Sequence, residues 1–128
     1  MRRKEVAAAL PNAAHKGLAD LQQHYNVTVV TQNIDDLHER AGSKNVLHLH
    51  GEIFTMRGEK DENNFYEIKE DINLGDMASE DTQFRPPVVW FNEQVHMIRA
   101  DRHLIACDVL FLRTVHSCRA TLVVGVRA

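Results

Sequence analysis

An α/β fold with a mostly parallel sheet is what this chain predicts, on three observations. A helix-periodic stretch at 12–25 leads into an unbroken β-branched run, Val27-Thr28-Val29-Val30-Thr31. A second apolar run, Val46 to His50, follows after a turn-sized gap. Both runs end in bursts of amides, carboxylates and imidazoles, Gln32-Asn33-Ile34-Asp35 and His48-Leu49-His50-Gly51. In open sheets of this class ligands bind outside the carboxyl ends of the strands, where both bursts lie.

Each element has its own local reason. Ala14, Leu18, Leu21 and Tyr25 recur at spacings of four, three and four, which places them on one helix face. Pro11-Asn12 is a start signal, with Asn12 as the cap. The run 27–31 reads as a buried strand because every side chain in it is β-branched. Asp35 to Ala41 reads as a short helical turn ended by Gly42, and Val46 to His50 as a second strand. Residues 57–87 carry nine acids against four bases and few large apolar groups, so they read as an acidic insertion or small subdomain, partly mobile. Pro86-Pro87 closes that insertion. Val88-Val89-Trp90-Phe91 then reads as a strand, 94–106 as a helix, and 108–112 and 121–126 as two further strands.

The bulk numbers narrow the classes. A chain of 128 residues suffices for one domain. With 44% hydrophobic and 26% charged residues it has the composition of a soluble globular protein. A net charge of −3 argues against a nucleic-acid scaffold or a membrane-surface binder. No apolar run approaches the ~18 residues of a membrane span. The basic start, Met1-Arg2-Arg3-Lys4, precedes no long apolar segment, so a cytoplasmic location is expected. The two cysteines, Cys107 and Cys118, are too few for a four-cysteine zinc site and read as reduced thiols. The glycine-rich phosphate loops and the Gly-x-Ser-x-Gly elbow are absent from the 128 residues.

Four groups of residues could carry chemistry. Gln32, Asn33 and Asp35 could hydrogen-bond a ribose or a carboxamide, or simply cap the turn that follows. His48 and His50 alternate along a strand, which puts both rings on one face, about 6–7 Å apart at the backbone. They could be a metal pair lacking an evident third ligand, a general base near neutral pH, or ordinary interior histidines. Gly51 favours the base, since it lets another backbone come close. The Val88–Phe91 strand could pair with an extended peptide or be plain core. Arg2 and Arg3 could hold an anion or be solvated.

Taken in order, Pro11-Asn12-Ala13-Ala14-His15, Thr31-Gln32-Asn33-Ile34-Asp35, Leu37-His38, Ala41-Gly42, His50-Gly51 and Arg85-Pro86-Pro87-Val88-Val89-Trp90-Phe91-Asn92-Glu93 resemble the core of the sirtuins, over roughly residues 2–112. The sirtuins are NAD-dependent protein-lysine deacylases, and bacterial members are the most similar. The resemblance implies an incomplete Rossmann-like domain over 1–128, with 57–87 replacing the zinc-binding module. By position it implies His50 as the general base on a ribose hydroxyl. Gln32, Asn33 and Asp35 would line the nicotinamide–ribose pocket, and Val89, Trp90 and Phe91 would pair with an acyl-lysine peptide. Arg2 falls where members that remove succinyl or malonyl groups hold the acyl carboxylate. NAD is then the expected co-substrate, acyl-lysine proteins or peptides the expected partners, and no zinc is expected.

Four departures shape the remaining expectations. The family's Gly-Ala-Gly-x-Ser segment and its four zinc cysteines are missing, Asn92 replaces a glycine, and residues 113–128 match poorly. The isolated chain is therefore expected to be weak or inactive, because backbone donors for the pyrophosphate are gone. Self-association through exposed sheet edges is expected as well. The alternative from another class is a non-catalytic module that binds acyl-peptides or a basic partner.

Overall fold

The computed structural model describes residues 2–61, 63–79, 81–90, 93, 109–115 and 120–127. Helix α1 (Arg2–Ala8) and α2 (Ala13–Leu21) precede β1 (Asn26–Thr31), α3 (Leu37–Arg40) and β2 (Val46–His48). Strands β3 (Thr55–Gly58), β4 (Phe65–Glu67), β5 (Met77–Ser79) and β6 (Thr82–Arg85) follow, and then β7 (Val109–Val115) and β8 (Ala120–Arg127).

The first sheet has the order β2-β1-β8-β7. β1 is an inner strand, and its sequence says why. Val27, Val29 and Val30 are each at most 1% exposed. Leu18, Leu21 and Val46 pack on Val27 and Val29, while Leu47 and Leu49 pack around Val30. A strand covered on both faces needs apolar residues at both parities, which the β-branched run supplies.

Helix α2 begins as its sequence predicts. The Asn12 side chain accepts from the amides of Ala14 and His15 at 3.0 and 3.2 Å. The helix ends at Leu21 rather than Tyr25, which is exposed. Just beyond it, the Gln22 side chain donates to the Val27 carbonyl and accepts from the Lys44 amide, tying the helix end to β1. A shallow cavity lined by Gln22–Val27, Lys44 and Asn45 lies there, at the end of β1 away from Thr31.

The sheet is mixed rather than mostly parallel. Its parallel pair is β1–β2, with Val29 beside Val46 and Thr31 beside His48. β1–β8 and β7–β8 run antiparallel. Only residues 116–119 separate β7 from β8, far short of the dozen or so that a parallel crossover requires. The expected helix at 94–106, together with Cys107 and Cys118, lies outside the described residues.

The acidic segment folds into a second, antiparallel sheet of order β4-β3-β6-β5. β4 and β5 are exposed along their whole length, and the Tyr66 and Phe84 rings meet edge-on at 5.7 Å. Alternation is absent because few of these residues are buried. Val88–Trp90 form no strand, contrary to the sequence expectation, and Phe91 is outside the described residues. Pro86 and Pro87 bring no amide hydrogens to a ladder, and the Val89 amide is spent on the His50 carbonyl at 3.0 Å.

Helix α1 is tied down by a side chain from α3. The Arg40 guanidinium donates to the carbonyls of Val6 (2.8 Å), Ala7 (3.3 Å) and Ala9 (2.8 Å), and its Nε sits 3.0 Å from Asp36. A helix end leaves such carbonyls short of intrahelical partners; Val6 O also accepts from the Ala9 amide at 3.2 Å. Arg40→Ala should therefore fray α1 and cost about 1–2 kcal/mol, read as lost helical circular dichroism and a lower urea midpoint. A loss below a few tenths would show that water caps α1 as well.

Candidate active site

The site forms where β1 and β2 end together. Thr31 is in register with His48, so the loop after β1 and the turn after β2 leave the sheet side by side. Four successive carbonyls of the first stretch are then held by donors of the second. The Leu49 amide donates to Thr31 O and the Ile53 amide to Ile34 O, both at 2.8 Å. Between them, His50 Nδ1 lies 3.0 Å from Gln32 O, and His48 Nδ1 lies 2.8 Å from Asn33 O.

The contact at His50 fixes its chemistry. A carbonyl can only accept, so Nδ1 carries the hydrogen. In the neutral ring the lone pair is then on Nε2, pointing away from the loop, as a general base requires. The His50 ring is partly buried and stands on the same side as the loop it contacts.

The other predicted residues divide into those gathered here and those elsewhere. Gln32 and Asn33 are partly buried, and among the described residues their side chains have no hydrogen-bond partner. Their carbonyls are occupied by the two histidine contacts, while their amide side chains are unspent among the described residues. Asp35 already serves the turn: its Oδ1 accepts from the Leu37 amide at 3.2 Å. Val89 joins the site through His50, and Trp90 follows it, 56% exposed. Arg2 opens α1, and its side chain and Phe91 lie outside what the structure describes.

Gly51 does something other than admit a ligand. Its φ is +78°, and a Cβ built there would fall 1.9 Å from Pro87 O. The backbone that approaches is this chain's own, and the approach seats the 86–90 segment beside His50. The same segment is braced at its far end. Glu93 accepts from the Trp90 amide at 3.0 Å and pairs with Arg85 at 3.2 Å, and the Trp90 bond leads in holding its carboxyl below the usual range.

Several residues of the site escaped sequence reading. Glu39 Oε1 meets His48 Nε2 at 2.8 Å. Nine residues separate them on different elements, so no local spacing marks the pair. Arg3, which the sequence offered as an anion holder or a solvated charge, is instead 7% exposed and donates to Ile53 O at 2.8 Å and Glu70 O at 2.6 Å. His38 is buried against His15, ring centroids 4.6 Å apart, and its Nδ1 has no partner among the described residues. Burial, and then His15, push its pKa down. Among the described residues no group of three His, Cys, Asp or Glu side chains could hold a metal ion.

Comparison with known proteins identifies the family. A protein named NAD-dependent protein deacylase, from Helicobacter pylori (strain J99), is 52% identical over 98 residues, which cover 77% of this chain and 42% of that protein. A crystal structure of a Sir2 homolog–NAD complex matches with a TM-score of 0.67 at 38% identity, over 81% of this chain and 42% of that one. A Sir2 protein bound to acetylated peptide matches with a TM-score of 0.62 at 28% identity, over 78% and 44%. The chain thus spans less than half the length of each of these three proteins. Residues 1–123 match the family model for the Sir2 family, further than the 2–112 that motifs alone suggested, and the chain belongs to that family.

Proposed function

We propose that this chain carries the base and nicotinamide–ribose side of an NAD-dependent protein-lysine deacylase. The observation that carries the reading is the His50–Gln32 contact. It leaves Nε2 as the free base, and on the contacted loop the Gln32 and Asn33 side chains have no partner among the described residues. Those groups fit a carboxamide and a sugar, which need both donors and acceptors.

NAD would supply a glycosidic carbon that releases nicotinamide and a ribose hydroxyl that takes the acyl group. The protein's part is then specific. Gln32 and Asn33 orient the carboxamide and ribose, and His50 Nε2 removes the hydroxyl proton. The segment of Val89, Trp90 and Phe91 would meet the peptide. Arg2 would face an acidic acyl group, which makes succinyl or malonyl lysine the finer reading. The sheet of β3–β6 would stand in place of the zinc-binding module.

Amide NMR on the 128-residue chain tests the assignment by binding, and an acyl-transfer assay tests it by chemistry. NAD with an acetyl-lysine peptide should perturb residues 32–35, 50–51 and 88–90. Any transfer of the acyl group from the peptide to the ribose should disappear in His50→Asn. Perturbations that avoid these three stretches, or acyl transfer that survives in His50→Asn, would overturn the proposal. Peptide binding at 88–90 with no response to NAD would favour a binding module instead.

A further inference from the structure

His48 is a buried titratable group that the reaction above does not use. Its side chain is 4% exposed and makes two close contacts, Nδ1 to Asn33 O and Nε2 to Glu39 Oε1, both at 2.8 Å. Neither a carbonyl nor a carboxylate has a hydrogen to give. A neutral imidazole could satisfy one of them and would turn a lone pair toward the other. Only the doubly protonated ring donates to both.

We propose that His48 is a positioning residue, kept as an imidazolium between Glu39 and the Asn33 carbonyl, which holds the Gln32–Asn33 loop in place beside His50. The assignment deepens the deacylase reading and rests on it for its meaning, since the loop it holds is the proposed sugar and carboxamide floor. Histidine contacts then grip two adjacent carbonyls from one strand end, His50 at Gln32 and His48 at Asn33. They differ in role because only His48 has a carboxylate behind it.

The charges around His48 agree with this. From α3 come Glu39, which attracts a proton to the ring, and His38, which opposes it; Glu52, after β2, also attracts. β1, on its other side, has no charged residue. Burial by itself lowers the His48 pKa, but the Glu39 bond, the Asn33 carbonyl and the charges of Glu39 and Glu52 leave it raised above 6.5. Burial raises the Glu39 pKa, but the bond from His48 leaves it lowered below 4.5, so a protonated Glu39 is not the donor.

The sign of the pH effect follows. A raised histidine contributes fully below its ordinary value and fades as pH rises through its folded value. A lowered carboxylate contributes above its ordinary value and fades as pH falls through its folded value. The clamp is therefore complete between about pH 4.5 and 6.5 and loosens on the alkaline side. His38, with its lowered pKa, destabilises the whole fold as pH falls below 6.5, so the local loop rather than global stability is the proper readout.

Side-chain ¹⁵N NMR on the 128-residue chain should find both His48 nitrogens protonated at pH 6. Protection of the 32–36 amides, taken relative to their intrinsic exchange at each pH, should fall as the ring deprotonates at higher pH. Glu39→Gln changes a side chain that is 41% exposed, so folding should survive it. It should move the His48 titration and the exchange profile together toward lower pH, and raise loop exchange about tenfold at pH 7. A neutral His48 at pH 6, or a Glu39→Gln variant with both profiles unmoved, would overturn the proposal. NAD separates the two ideas. If the clamp behaves as described but NAD perturbs nothing at 32–35, the deacylase reading fails and the clamp stands. If NAD perturbs 32–35 while His48 is neutral, the clamp fails and the deacylase reading stands.

Discussion

Gly51→Ala should destabilise the chain by about 3 kcal/mol and push Val89 off His50. Two costs add. Alanine at φ +78° carries a left-handed penalty of roughly 1–2 kcal/mol. The new Cβ would also sit 1.9 Å from Pro87 O and 2.8 Å from Pro87 C, which are backbone atoms that cannot swing aside as a flexible side chain can. Forced overpacking of this kind typically adds roughly 1–3 kcal/mol. Relief requires the 86–89 segment to retreat, and the first bond lost is Val89 N–H to His50 O. Urea unfolding reads the energy, and the Val89 amide shift reads the displacement. A midpoint unchanged from wild type, with Val89 unmoved, would show that Pro87 does not press on Gly51.

Arg3→Ala should cost about 2–3 kcal/mol. The guanidinium is 7% exposed, and it joins α1 to the start of the second sheet. Its removal strands the carbonyl of Ile53, itself 7% exposed, where water has little access. An orphaned buried acceptor costs roughly 1–3 kcal/mol. The Glu70 carbonyl belongs to an exposed residue and recovers a bond to water, so it adds little. Asp71, at 4.0 Å, loses only a weak ionic partner. Arg3→Lys should not rescue, because a single ammonium cannot reach two carbonyls in the fork geometry. Urea unfolding of both variants gives the energies. Full stability in Arg3→Lys would show that charge, not the fork, is what matters.

What the sequence disclosed depended on whether burial was local. β1 was readable because Val27, Val29 and Val30 are buried on both faces, and an unbroken β-branched run suits an inner strand far better than a helix or a loop. The Asn12 cap was readable because capping acts over two or three residues. His50 beside Gln32 was suggested by two strands ending together, and the contact at 3.0 Å lies there. The second sheet was hidden because β4 and β5 are exposed, so burial printed no period on them. The antiparallel partner of β1 comes from almost a hundred residues away, and nothing in 121–126 records its direction. The contacts of Glu39 and Arg3 were invisible for the same reason: their partners, His48 and Ile53, lie on other elements, where no sequence spacing points.

The row of held carbonyls from Thr31 to Ile34 has a consequence for recognition. Backbone that is already immobilised has no rotational freedom left to surrender when a guest arrives. A small polar guest resting on Gln32 and Asn33 would lose its own freedom and that of two amide side chains, and little else. Such a surface is preorganised, and its selectivity comes from how a guest's donors and acceptors match a fixed template, not from folding around it.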